Sequence, residues 1–267
     1  MVTCSLQACI EPIDAEPRTA AAYRADAKRA YEEAVEAYLD HNWPYAEQLF
    51  EDIRRDYADS RYARLAELRL ADAAFRQEKY AEAIGGYRSF THDYPNDAEV
   101  PYARYRITRA QFLQSDSSFI TPPLEERDLS NIKEANVSIR AFLDDFPGYS
   151  RTPELQYMLR VVRGLLARHE LYVARYYLNI DQFDAAVSRI QFALRTYPES
   201  GLEAEGIVLL GETYLKLHSN KKARAAFQHV LQRYPDSPFV IPARNFLSYL
   251  GEHPSAEARV TAPEGNP

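Results

Sequence analysis

The fold of this chain is decided by residues 183–200, which read FDAAVSRIQFALRTYPES. Phe183, Ala186 and Ile190 lie fourteen, eleven and seven residues before Tyr197, so these side chains share one face of a helix. Pro198 disfavours helical geometry at Tyr197, so the helix should end there. The stretch therefore predicts one helix with a buried face and a marked end.

The same template recurs four more times along the chain. Its end residues are Tyr57, Tyr94, Phe146 and Tyr234, and the position eleven before each is Ala46, Ala83, Ala135 and Ala223. The position seven before is always large: Phe50, Tyr87, Ile139 and Phe227. Proline follows every end residue except Tyr57, which precedes Ala58. A small residue at one register lets two helices approach closely, so the pattern predicts a helical repeat protein.

The end residues are 37 positions apart in the first and last intervals, a period similar to that of tetratricopeptide repeats. We predict an all-α fold, a right-handed superhelix (α-solenoid) of five tetratricopeptide-like helix pairs plus a C-terminal capping helix. The predicted organisation is a signal and tether (1–19), N-terminal repeats (20–114), an insertion loop (115–126), C-terminal repeats (127–251) with a long helix (152–180), and a disordered tail (252–267).

Two intervals are about fifteen residues longer than the others. In the third pair the addition is the Ser-rich stretch 115–126, which contains Phe119, Ile120 and a double proline. It is either a disordered surface insertion or a loop that covers a site or is held by a partner. In the fourth pair the pattern stays helical from Thr152 to about Ile180, which predicts a helix that reaches beyond its neighbours.

Composition excludes several classes of protein. The net charge of −7 gives no reason to expect nucleic acid as a partner. No apolar run is long enough for a transmembrane helix. The two cysteines are Cys4 and Cys9, which rules out a disulfide framework in the folded body.

Leu6-Gln7-Ala8-Cys9 resembles the end of a bacterial lipoprotein signal, in which the cysteine receives lipid. A chance match of four residues is the alternative. Only eight residues precede Cys9 and none is basic, so the signal looks truncated and we expect the natural start to lie upstream. With lipid on Cys9, residues 10–19 would form a short extended tether.

Three features together resemble the BamD family of outer-membrane β-barrel assembly lipoproteins. They are five helix pairs behind a lipoprotein cysteine with an insertion before Arg127, the tyrosine-rich long-helix segment 172–177, and a run that starts Ala186-Val187-x-Arg189 and ends in Tyr197-Pro198. The resemblance covers roughly residues 20–250. It implies a scaffold anchored by lipid to the periplasmic face of the outer membrane, within the β-barrel assembly machine.

The resemblance also implies partners and sites. C-terminal repeats of that family dock a periplasmic POTRA domain of BamA, and we assign that contact to Arg189, since arginine can pair bidentately with a carboxylate. N-terminal repeats receive the aromatic-ended C-terminal strand of unfolded outer-membrane β-barrel proteins. Tyr62 matches a family position and is our first choice, with Tyr31, Tyr38 and Phe75 nearby. Other assembly-machine lipoproteins and outer-membrane lipid are further expected partners.

Enzymatic activity is not expected. The six histidines are scattered, and the sequence has no paired metal ligands, nucleophile elbow or phosphate loop. We therefore predict no catalytic residue, metal or cofactor.

Two alternative functions stay open. Tyr234-Pro235-Asp236-Ser237 also resembles the repeats of the Tol–Pal-associated CpoB family, although no N-terminal coiled-coil pattern appears. A generic lipid-anchored envelope scaffold is the other.

Overall fold

The computed structural model describes residues 19–116 and 129–252, and within these ranges the backbone forms eleven α-helices and no β-strand. They are α1 (Ala20–Leu39), α2 (Trp43–Asp56), α3 (Arg61–Arg76), α4 (Tyr80–Asp93), α5 (Val100–Asp116), α6 (Ser130–Asp145), α7 (Thr152–Asn179), α8 (Phe183–Thr196), α9 (Glu203–Lys216), α10 (Asn220–Arg233) and α11 (Val240–Glu252). The predicted all-α class, with five helix pairs and a last helix, is confirmed. None of these helices is long and apolar enough to cross a membrane.

Three predicted segments lie largely or wholly outside the described residues. They are the signal segment with Cys9, residues 117–126 of the predicted insertion, and the tail from residue 253. Residues 115 and 116 belong to α5. The long helix expected from Thr152 to about Ile180 is α7, which ends one residue earlier.

The chain divides into two compact units, and the boundary lies between Arg104 and Tyr105, within α5. In the first unit α1 packs on α2, α2 on α3, and α3 on α4. In the second unit α6 to α11 likewise pack each on the next. Such packing of sequence neighbours is how a repeat protein builds a core.

The five alanines of the repeat form the centre of this packing. Ala46, Ala83, Ala135, Ala186 and Ala223 are each 0% exposed. The residue four positions later on the same helix is also 0% exposed in every pair: Phe50, Tyr87, Ile139, Ile190 and Phe227. The predicted combination of a small residue and a large one, one turn apart, is therefore buried in all five pairs.

All five predicted end residues are the C-caps of their helices: Tyr57, Tyr94, Phe146, Tyr197 and Tyr234. Tyr57 ends α2 although no proline follows it, so proline is not required for the stop. The next helix begins at Arg61, four residues after Tyr57, and its N-cap Ser60 accepts a hydrogen bond from the backbone N–H of Ala63 at 3.2 Å. That cap starts α3 and leaves no room for α2 to continue.

A second periodic feature is the turn within the first, second, fourth and fifth pairs. Four non-glycine residues in these turns have positive φ angles of 55 to 62°: His41, Glu78, Asp181 and His218. Each lies sixteen residues before its end residue. The backbone N–H that follows returns to the preceding helix, as in Asn42 N to Ala37 O at 3.0 Å. This left-handed closure satisfies a terminal carbonyl and reverses the chain.

Adjacent glycines on α4 have opposite surroundings. A Cβ atom on Gly86 would lie 2.9 Å from the Cβ atom of Ala71 on α3, whereas one on Gly85 would meet nothing within 4 Å. Gly86 therefore permits the close approach of α3 and α4. Gly85 only weakens its helix, because glycine is a poor helix former.

A buried ionic network holds the first unit together. The Asp72 carboxylate, 1% exposed, pairs with the Arg69 guanidinium. It also accepts hydrogen bonds from the hydroxyls of Tyr87 at 2.5 Å and Tyr102 at 2.8 Å. Burial alone would lower the pKa of Arg69, but Asp72 and the Tyr31 hydroxyl outweigh it, so this pKa is raised and the arginine stays charged. The network thus links α1, α3, α4 and residue 102 of α5.

The two glycines of α4 give a matched pair of substitutions. We expect Gly86→Ala to lower the free energy of unfolding by about 1–3 kcal/mol, because the new methyl group overlaps Ala71. Gly85→Ala should raise it by up to about 1 kcal/mol through helix propensity. Urea unfolding, followed by the fluorescence of Trp43, measures both. Equal effects of the two substitutions would contradict the close contact.

Removing the charge of Asp72 tests the buried network. Asp72→Asn leaves a largely buried arginine without its counter-charge, and we expect a loss of about 2–4 kcal/mol in the free energy of unfolding. The control is Asp26→Asn, which removes an exposed ion pair with Arg29 and should cost less than about 1 kcal/mol. Similar losses in the two variants, measured by urea unfolding, would show that the network does not stabilise the unit.

Candidate functional site

The predicted substrate-binding residues all lie in the first unit, on α1 and α3. The rings of Tyr31 and Tyr62 are 5.5 Å apart, so the structure brings these two together. Tyr38 instead packs edge-on against Trp43, with 5.1 Å between the ring centroids. Phe75 is 8% exposed and belongs to the core, where it offers little surface to a ligand.

Arginines of α3 accompany the tyrosines, a feature that the sequence analysis missed. Arg61 Nη2, Arg69 Nε and Arg76 Nε donate hydrogen bonds to the hydroxyls of Tyr62, Tyr31 and Tyr38, at 3.1, 3.2 and 3.3 Å. The signal was present, since α3 carries four arginines within sixteen residues. The resulting surface offers aromatic rings beside guanidinium groups, which suits a ligand with an aromatic side chain and a carboxylate.

Tyr62 also lines a cavity of about 690 Å³ at the beginning of α1 and α3. Its charged lining residues are Arg24, Lys28, Arg61 and Asp59, so cations outnumber carboxylates by three to one. Lys28 pairs with Glu32 at 3.4 Å, but both side chains are about 60% exposed and such a pair is weak. The cavity therefore combines positive charge with the rings of Tyr23 and Tyr62.

Arg189, the predicted BamA contact, lies on α8 in the second unit. Its Nη1 donates a hydrogen bond to Oε2 of Glu170 on α7 at 3.2 Å. The arginine side chain is 46% exposed, whereas that of Glu170 is only 10% exposed. The internal carboxylate therefore holds the arginine, whose side chain remains nearly half exposed.

The aromatic segment of α7 is partly on the surface of the same unit. Tyr172, Tyr176 and Ile180 are 43, 58 and 47% exposed, at intervals of four residues. On α8, Phe192 is 40% exposed and lies one turn after Arg189. Exposed large apolar side chains, such as Phe192 near Arg189, are typical of protein interfaces.

Ser200 makes two hydrogen bonds in the turn that leads into α9. Its Oγ accepts a hydrogen bond from the backbone N–H of Leu202 at 3.3 Å, and its own N–H donates to Oε1 of Glu203 at 2.8 Å. This arrangement lies just before the N-cap of α9, Leu202, whose own side chain makes no capping hydrogen bond. Among the described residues, no group of three or more His, Cys, Asp or Glu side chains is arranged to hold a metal ion.

Comparison with known proteins gives one family. Residues 24–227 match the family YfiO, described as an outer membrane lipoprotein. The chain is 27% identical over 244 residues to outer membrane protein assembly factor BamD of Xylella fastidiosa, covering 87% of this chain and 83% of that protein. It is 24% identical over 216 residues to BamD of Caulobacter vibrioides, covering 81% of this chain and 68% of that protein.

BamD of Neisseria meningitidis serogroup A is 24% identical over 220 residues, covering 81% of this chain and 82% of that protein. Among solved structures, the TPR2AB domain of yeast Sti1 matches with a TM-score of 0.43 and 12% identity, covering 85% of each chain. The family match alone spans well over half of the sequence. The chain therefore belongs to the YfiO family of outer membrane lipoproteins.

Proposed function

We propose that this protein is a non-catalytic scaffold of the β-barrel assembly machine, anchored by lipid on Cys9 to the periplasmic face of the outer membrane. It docks a POTRA domain of BamA and receives unfolded outer-membrane β-barrel proteins for insertion, alongside other lipoproteins of the machine. Family membership and the similarity to outer membrane protein assembly factor BamD support this proposal. The observation that carries the substrate role is the cationic, tyrosine-lined cavity beside Tyr62.

The first unit supplies the substrate site. A substrate that ends in an aromatic residue presents a ring and a terminal carboxylate within a few ångströms of each other. The Tyr62 ring, with the Arg61 guanidinium carbon 4.9 Å from its centroid, is complementary to both groups. Arg24 and Lys28 add positive charge to the same cavity, which favours a negatively charged chain end.

The second unit supplies the BamA contact. Arginine carries five N–H donors, and the hydrogen bond from Arg189 Nη1 to Glu170 uses one of them. The remaining donors can pair with a carboxylate of BamA. Because Glu170 is largely buried, it fixes the direction of the guanidinium before the partner arrives, and this lowers the entropic cost of binding.

The internal ion pair determines how Arg189 is tested. Arg189→Glu would place a second carboxylate beside buried Glu170 and destabilise the fold, so loss of binding would be ambiguous. We expect Glu170→Gln alone to retain BamA, because Arg189 keeps its charge. Glu170→Gln with Arg189→Gln removes the surface charge without leaving a buried carboxylate unpaired, and should weaken BamA binding about tenfold or more.

Affinity capture from detergent-solubilised envelopes measures this prediction, with thermal melting of each variant as the control for folding. Equal recovery of BamA with both variants would show that Arg189 is not the docking residue, while the scaffold role would stand. Recovery of Tol–Pal proteins in place of BamA would replace the proposed function with that of a CpoB-like adaptor.

A short extended peptide ending in phenylalanine tests the substrate site. We expect Arg61→Gln to raise its Kd about tenfold, since a hydrogen bond to a charged group is lost. Tyr62→Ala should have a similar effect through loss of the ring, whereas Tyr62→Phe should change Kd little. Fluorescence anisotropy of a labelled peptide provides the measurement.

The same peptide with an amidated C-terminus is the matched ligand control. It should bind the unaltered protein more weakly than the free acid, and Arg61→Gln should reduce the difference between the two peptides, leaving only the part that Arg24 and Lys28 contribute. If the amide and the acid bind equally well to the unaltered protein, the carboxylate is not recognised and the proposed role of Arg61 is wrong.

A further inference from the structure

Two grooves occupy equivalent positions in different repeats. One, of about 470 Å³, lies among α2, α3 and α4 in the first unit, and the other, of about 530 Å³, lies among α8, α9 and α10 in the second. We call them the α2–α4 groove and the α8–α10 groove. Positions in the two grooves are compared by counting from the buried alanine of the third helix of each groove, which is Ala83 in α4 and Ala223 in α10. Glu67 and Ile207 lie sixteen residues before that alanine, and Glu82 and Lys222 lie one residue before it.

The correspondence continues around both grooves. Leu70 and Leu210 lie thirteen residues before the alanine, and Ser89 and His229 six after it. The repeat has therefore built the same depression twice with different side chains. A difference in chemistry at equivalent positions cannot come from the helix packing, which is common to both pairs.

The two linings differ in charge, since the α2–α4 groove is strongly acidic whereas in the α8–α10 groove one lysine balances one carboxylate. The α2–α4 groove contains one arginine and the five carboxylates of Glu47, Glu51, Glu67, Glu82 and Asp93. The α8–α10 groove contains Glu203 as its one carboxylate, beside Lys222 and His229. All of α10 holds two lysines, two arginines and no acidic residue, within a chain of net charge −7. Positive charge is thus concentrated on this helix.

The α8–α10 groove is also the more apolar of the two. Leu194, Ile207, Leu210, Ala225 and Ala226 contribute to its lining, with the ring of Tyr214. The ammonium of Lys222 lies 5.5 Å from the centroid of that ring and forms no ion pair within residues 129–252. Gln191 Nε2 donates to the Tyr214 hydroxyl at 3.1 Å and so holds the ring in place.

We propose that the α8–α10 groove docks an acidic amphipathic segment of a partner protein. Large apolar side chains of the segment enter between Leu210 and Ala226, and an aspartate or glutamate within one turn pairs with Lys222. A helix with apolar residues at i and i+3 or i+4 fits a groove of this type. A concave apolar lining fits a protein side chain that inserts into it. A flat anionic membrane surface needs only exposed positive charge and would make no use of such a lining.

This site goes beyond the proposed function, because it uses neither Arg189 nor the cavity beside Tyr62. Its test therefore does not depend on BamA or on a barrel substrate. The probe is a labelled synthetic helical peptide with leucines at i, i+3 and i+7 and glutamates between them. The matched ligand control replaces every glutamate with lysine. Fluorescence anisotropy with the full chain gives both dissociation constants.

We expect the acidic peptide to bind at least tenfold more tightly than the basic one. Lys222→Gln should weaken its binding several-fold. Lys222→Glu, which installs the charge that Glu82 has at the equivalent position, should weaken it at least tenfold. Ala225→Trp should also abolish binding, because it fills the groove from an exposed position without removing a buried contact. Glu82→Lys, in the other groove, should leave the affinity unchanged.

Circular dichroism melting of each variant keeps folding separate from binding. The proposal fails if neither peptide binds, if both bind equally, or if Lys222→Glu and Glu82→Lys have the same effect. Vesicles of anionic phospholipid provide the last arm. One outcome would favour a membrane over a protein partner: the unaltered protein binds these vesicles, the Lys222→Glu variant does not, and neither binds the acidic peptide. The groove region would then be a membrane-contact surface, and the proposed protein partner would be wrong.

Discussion

The close approach of two helices at a buried alanine is the constraint on which this structure depends. A side chain larger than alanine at any of these five positions would have to displace a neighbouring helix that is already in contact. The large residue one turn later then fills the space that the alanine leaves. Because both positions are fully buried in every pair, they fix how far apart the helices lie and which faces remain on the surface.

The surface left over by that packing is where the pairs differ. Gly86 and Ala226 occupy one equivalent position, and both leave a groove open. In the fourth pair the residue at this position is Arg189, and its side chain is hydrogen-bonded to Glu170. Glu170 in turn occupies the position that Glu67 and Ile207 have in the second and fifth pairs. The same repeat positions therefore line an acidic groove in the second pair, hold a paired arginine in the fourth and line an apolar groove in the fifth.

The sequence predicts those features that repeat with a fixed spacing. The buried alanines, the end residues and the length of α7 follow from the positions of small, aromatic and proline residues. The left-handed turns were missed because none of His41, Glu78, Asp181 and His218 is glycine. The Glu170 partner of Arg189 was missed because the two residues lie nineteen positions apart on different helices, and their contact depends on the rotation of α8 against α7.

The same distinction explains why the aromatic site was only partly predicted. Helical spacing places Tyr31, Tyr38, Tyr62 and Phe75 near one another, but it does not say which ring faces the core. In the structure Phe75 is buried, and each of the three tyrosines accepts a hydrogen bond from an arginine of α3. Those arginines decide the chemistry of the surface, because an aromatic ring alone binds any apolar group, whereas a ring beside a guanidinium selects a ligand that also carries negative charge. The surfaces of the pairs therefore differ through charged residues added at repeat positions, while the apolar pattern that predicts the fold is common to every pair.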